Sequence, residues 1–215
     1  MTKNKISSGA IGILAVGVAL YGLVMYGMLD GRESSFVQQK AEMLQSGSWY
    51  VWLVVHALSG SIALLVGWLQ FSAKLRANRP QLHRSVGILY AAAIGVAGFS
   101  GVFLSLFASG GLPGQLGFGF LSLAWLVTTG AGIYAIAAPG RDAKAHGRWM
   151  LRSYALTLAA VTLRVYLPLS MLLFGLESYE TYYGAIAWLC WVPNLLAAEW
   201  LIRRRSAVSG PALRS

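Results

Sequence analysis

The chain has 215 residues, of which 57% are hydrophobic and 11% charged, and its formal net charge is +10. That balance excludes an ordinary soluble domain and fits a polytopic membrane protein whose apolar side chains face lipid. Cys190 is the sole cysteine, which excludes an intrachain disulfide, a CxxC redox pair and a thiolate metal cluster.

After MTKNK an apolar run from about Ala10 to Leu29 is long enough to cross a hydrocarbon core of roughly 30 Å. It is roughly twice the length of a signal-peptide core and no convincing small-x-small cleavage site follows it, so it reads as a retained first span. Asp30 to Ser48 reads as an outer loop with enough helix formers for a short interfacial helix. Trp49, Tyr50 and Trp52 open the second span as an interfacial aromatic belt, and this span continues to about Ala73. The basic loop KLRANRPQLHR follows, with Pro80 suited to the first turn of the third helix because its missing N–H is not needed there.

The third span runs to about Phe107, with Gly95, Gly98 and Gly101 admitting close helix packing. ASGGLPGQLGFG reads as a glycine-rich connector, without the lysine or the strand-to-helix setting of a phosphate loop. The fourth span covers about Phe118 to Ala138, and the hydroxyls of Thr128 and Thr129 are expected to bond within their helix or across to a neighbour. Asp142 is placed to cap the fifth helix, which ends near Phe174 with Pro168 kinking its outer end. The sixth span covers about Tyr183 to Ile202 and stops at three arginines. Residues 1–205 therefore form one all-α, six-helix transmembrane bundle, and 206–215 a short disordered tail.

Orientation follows from the basic residues. Lys3, Lys5, Lys74, Arg76, Arg79, Arg84, Arg141, Lys144, Arg148, Arg152, Arg203, Arg204, Arg205 and Arg214 fall on one side of this arrangement, and only Arg32 and Lys40 on the other. The positive-inside rule then puts both termini in the cytoplasm. The high charge is a topology signal directed at anionic inner-leaflet lipid and not at nucleic acid.

The stretch from Pro139 to Pro168 organises the interior. His146, Ser153, Thr157, Ala160 and Arg164 share one face of a continuous helix at 3.6 residues per turn. Arg164 lies about 27 Å beyond His146 along the axis and should face protein or a cavity, unless it snorkels to the outer interface. Arg152 and Glu199 lie at matching depths on the fifth and sixth spans, where they read as a structural ion pair.

The strings HALSGSIALLVGWLQF, LHRSVGILY, HGRWMLRSYALTLAAVTLRVYLP and WLCWVPNLLAAEW, spread over His56 to Trp200, resemble the membrane protein family known as domain of unknown function 2306. The resemblance implies a multi-span bacterial membrane protein, here of the cytoplasmic (inner) membrane. It brings no substrate, cofactor or catalytic residue.

Three function classes stand open. In a b-type membrane cytochrome, His83 and His146, each one turn into its helix, would be the axial ligands of haem b, with Arg84 and Arg148 near the propionates. In a transporter or channel, His56, Arg164 and Asn194 would line a path for a polar or anionic solute. In an accessory or scaffold subunit the histidines would be interfacial hydrogen bonders, and the partner a membrane protein or a second copy of the chain. His56 and His83 each have a glycine at i+4, Gly60 and Gly87, which leaves room for a flat ring or a close helix. GxSxG, HExxH and Walker sequences are absent, as is a carboxylate pair within the spans, which sets soluble-enzyme chemistry aside.

Overall fold

The computed structural model describes residues 3–44 and 47–208, and within these the chain is all-α. Helix α1 spans Lys3–Gly27, the short helices α2 and α3 span Ser35–Gln38 and Ala41–Leu44, and α4 spans Ser48–Gly67. Then come α5 (Ala73–Asn78), α6 (Pro80–Ser105), α7 (Gly111–Ala137), α8 (Ala143–Thr157), α9 (Ala159–Phe174), α10 (Tyr179–Leu189) and α11 (Val192–Val208). Five segments are long and apolar enough to cross a membrane: Ser48–Phe71, Pro80–Ser105, Gly111–Ala137, Ala143–Phe174 and Tyr179–Ala207; Gly12–Gly27 is a shorter apolar helix. Large apolar side chains on their outer faces, such as Phe99 at 71% and Leu172 at 82%, are exposed as lipid-facing residues would be.

Consecutive long segments pack antiparallel, α1 on α4, α4 on α6, α6 on α7, α7 on α8 and α8 on α11, while α10 lies parallel to α7, with Gly110 against Gly184 and Gly117 against Ala187. The shared core draws Ala63 from α4, Tyr90, Ile94 and Ala97 from α6, Trp125 from α7, Leu156 from α8 and Ile186 from α10. The basic residues of α5, α6 and α8 and of the end of α11 collect at one end of the bundle, here called the basic end.

Several boundaries differ from the sequence reading, each for a local reason. The second span stops sooner: α4 tightens into a 3-10 turn over Trp68–Phe71, and Ser72, accepting from Leu75 N at 3.1 Å, caps a separate α5 inside the expected basic loop. Trp49 is not in an aromatic belt; it is buried against Val37 and Leu53, under the segment that carries α2 and α3. Most of the expected glycine-rich connector belongs to α7, which begins at Gly111. Gly110 has φ +85, and a Cβ on Gly117 would come within 2.8 Å of the Ala187 Cβ, so these glycines are there for the turn and for the close approach of α10. Gly98 and Gly101 likewise sit tight against Leu126 and Ser122, whereas Gly95 has open space around it. At the far end α11 continues through residues 206–208, inside the expected tail; residues 209–215 lie outside the described residues.

Two spans are broken. The fifth divides at Leu158, whose carbonyl accepts from both Val161 N (3.0 Å) and Thr162 N (3.1 Å), a tightening of the ladder that separates α8 from α9. The break is not at Pro168, which lies within α9. The sixth divides at Cys190 and Trp191, beside Pro193, whose missing N–H deprives the Leu189 carbonyl of its helical donor. The breaks are joined: Asn194 donates to Thr162 Oγ1 at 3.0 Å and to the Cys190 carbonyl at 3.0 Å.

Candidate functional site

Asp142 Oδ1 accepts from Ala145 N at 2.8 Å and starts α8, while Pro80 starts α6. Both helices run away from the basic end. His83 lies four residues into α6 and His146 four residues into α8, so the caps set the two histidines at corresponding levels.

Two turns further along, the relation between the helices is fixed by contact. Tyr90, 1% exposed, bonds Ser153 Oγ at 2.9 Å and Thr157 Oγ1 at 3.0 Å. Ser153 also bonds Thr129 Oγ1 at 2.8 Å, and Thr157 accepts from Trp125 Nε1 at 3.0 Å, so five buried side chains from α6, α7 and α8 satisfy one another. Tyr90 and Ser153 are 63 residues apart, and so are His83 and His146. Since seven residues are about two turns, each histidine lies on the same face of its helix as the residue that makes the contact. The backbones of α6 and α8 are separated, each packing on α7, and Tyr90 reaches across the space between them. Its position was not singled out from sequence; the signal was there in its seven-residue spacing from His83.

His146 Nδ1 meets the Gly132 carbonyl of α7 at 2.8 Å. A carbonyl can only accept, so Nδ1 carries a proton and Nε2 is the nitrogen that holds the lone pair in the neutral ring. His83 Nδ1 is buried without a hydrogen-bond partner, and the electrostatic neighbours of His83 are Arg76 and His146. Gln70 ties this end together, donating to the His83 carbonyl at 3.3 Å and accepting from Arg76 through its own carbonyl at 3.2 Å. A Cβ on Gly87 would meet the Gln70 amide at 3.3 Å, so the space one turn beyond His83 is partly filled; Gly60, one turn beyond His56, has none of its space taken. Arg84 and Arg148 are exposed at the basic end.

Arg152 and Glu199 form a two-armed ion pair: Nε donates to Oε1, and Nη2 to Oε2 at 3.0 Å, with the Arg152 guanidinium 4.5 Å from the Trp149 ring centre. The remaining sequence-derived residues lie elsewhere. His56 Nδ1 meets the Ala97 carbonyl of α6 at 2.8 Å, and Asn194 is engaged at the joint between the broken spans. Arg164 is exposed and lies on α9, beyond the break at Leu158 that separates it from the helix of His146. It does not snorkel outward: Nη1 donates back to the Ala160 carbonyl at 3.1 Å, one turn toward the middle of the span.

Five long apolar segments around a core that includes buried serine and threonine side chains define a multi-span integral membrane protein. A family model described as "Predicted membrane protein (DUF2306)" matches residues 53–202, well over half of the chain, and covers every residue of the site just described. The chain belongs to that family, whose function is unknown. Comparison with curated proteins and with solved structures gave no match.

Proposed function

We propose that the chain is a six-span protein of the bacterial cytoplasmic membrane, with both termini cytoplasmic, that transfers electrons through a haem b held between His83 and His146. The observation that supports the proposal is the shared register: the Tyr90–Ser153 contact ties α6 to α8, and the same 63-residue spacing would bring His83 and His146 to one level. Among the described residues no three His, Cys, Asp or Glu side chains converge as a metal site. The metal chemistry this pair could support is therefore one in which a macrocycle supplies the remaining donors.

The residues fit such a group. Holding Nδ1–H of His146 on a backbone carbonyl leaves Nε2 to ligate, the usual arrangement behind a metal-bound imidazole, and the ring of His83 has a buried nitrogen with no protein partner. The bound group would supply one-electron oxidation and reduction. Tyr90 would bound such a group on the interior side, the Gly132 carbonyl orients His146, and Arg84 and Arg148 offer cations to carboxylates at the basic end. The solute-path residues support their reading less, since His56 and Asn194 both bond to neighbouring helices.

Protein purified from haem-supplied cells should show an intense Soret band and reduced-minus-oxidised difference peaks. His83→Ala and His146→Ala should each remove them, and His56→Ala should not. A folded, stable and colourless wild-type protein would end the reading. For the topology, reporter fusions should place the segments at Ser109 and Glu177 outside the cell and the loop at Arg79 inside; the reverse would refute the orientation.

A further inference from the structure

Arg164 carries a second inference, independent of the haem reading. Among the described residues, ion pairs join Arg152 to Glu199 and Arg32 to Asp30, and Arg164 has no carboxylate partner. It lies ten residues before the end of α9, about 15 Å along the axis, so it is deep in a span where an unpaired charge is expensive. Its guanidinium points toward the middle of the span, with Nη1 on the Ala160 carbonyl, and stands 5.9 Å from the centre of the Tyr21 ring on α1. Tyr26 of α1 and Tyr183 of α10 are its other electrostatic neighbours. The flanking surface is apolar and exposed: Leu20 and Val24 on α1, Val165 and Leu169 on α9.

A cation that is exposed, without a carboxylate partner, beside a tyrosine ring and bordered by exposed aliphatic side chains matches a ligand with an anionic head and a hydrocarbon tail. We infer that Arg164 binds the oxyanion head, carboxylate or phosphate, of a membrane amphiphile lying along the lipid-facing seam of α1 and α9. The guanidinium supplies charge-assisted hydrogen bonds to the head, and the aliphatic border takes the acyl chain. A soluble anion would leave that border to ordinary lipid and would have to cross hydrocarbon to arrive.

The test is binding and thermal stability of the full chain in phosphatidylcholine nanodiscs, supplemented in turn with phosphatidylglycerol, oleate and inorganic phosphate. The wild type should bind phosphatidylglycerol or oleate and rise in Tm, whichever of the two responds naming the head group, and should ignore inorganic phosphate. Arg164→Gln should lose about tenfold or more in that affinity, while its Tm in phosphatidylcholine alone stays level or rises because an unpaired charge has gone. Arg164→Lys should keep part of the response. An equal response to inorganic phosphate, an unchanged response in Arg164→Gln, or no response in the wild type would each overturn the inference. So would a Tm loss in phosphatidylcholine alone with unchanged binding, because that is what a purely structural arginine would give.

Discussion

The two halves of the broken fifth span treat their polar groups in opposite ways. On α8, Arg152 meets Glu199 through two hydrogen bonds, and Ser153 and Thr157 are saturated by Tyr90, Thr129 and Trp125. On α9, twelve residues beyond Arg152, Arg164 has only its own helix and a tyrosine ring. Nearby on α10 and at the second break, Tyr182 Oη and Trp191 Nε1 are buried without partners. A membrane interior normally enforces pairing, since an unsatisfied group there has no water to turn to. Arg152, Ser153 and Thr157 on α8 are thus tied to side chains of other helices, whereas Arg164 on α9 is not.

The largest test of this contrast is at the ion pair. Arg152→Met should destabilise the protein by about 3 kcal/mol, the low end for removing one partner of a buried pair because both side chains keep some exposure. Most of that loss should disappear when Glu199→Gln is added, as read by unfolding in mixed micelles. If the two substitutions are additive, the pair is not a unit. Next comes the hydroxyl network, where Tyr90→Phe leaves Ser153 with Thr129, and Thr157 with Trp125, and should cost about 1–2 kcal/mol. If Arg152→Met and Tyr90→Phe left stability untouched, α8 would be no more a framework than α9.

Between the halves, Thr162→Val removes the contacts of Asn194 with Thr162 Oγ1 and should cost about 1 kcal/mol, with the bond to Cys190 retained. The smallest effect belongs to Asp142. The backbone N–H of Ala145 is the first cause holding its carboxyl below the usual range. A depressed value means the contribution is present above the unfolded-state pKa and lost as pH falls through the folded-state one. The stability difference between wild type and Asp142→Asn should therefore shrink on acidification through the carboxylate range, because asparagine caps at any pH. A difference that does not change with pH would remove Asp142 from the account of how α8 begins.

Much of the framework was legible in the sequence. Apolar runs gave the long spans; Asp142 and Pro80 gave the starts of α8 and α6; and depth counting alone matched Arg152 with Glu199. What was hidden depended on partners distant in the chain. The glycines after Ser109 resemble a loop until α10 is seen to need Gly117 bare. Trp49 resembles an interfacial anchor until the segment around Val37 covers it. The Leu158 break has neither proline nor glycine to announce it, so the face from His146 to Arg164 reads as continuous although the backbone does not keep it. For the site, the positions of the histidines were visible, but the residue that sets their register, Tyr90, looked like one more aromatic in an apolar helix.

The central claim is that α6 and α8 present His83 and His146 to one iron. Low-temperature electron paramagnetic resonance of the oxidised protein, with near-infrared magnetic circular dichroism, reads the ligands directly. The account predicts a low-spin centre with two imidazole ligands in the wild type that becomes high-spin or is lost in both His83→Ala and His146→Ala. A high-spin centre in the wild type, or a low-spin signal that survives either substitution, would contradict it.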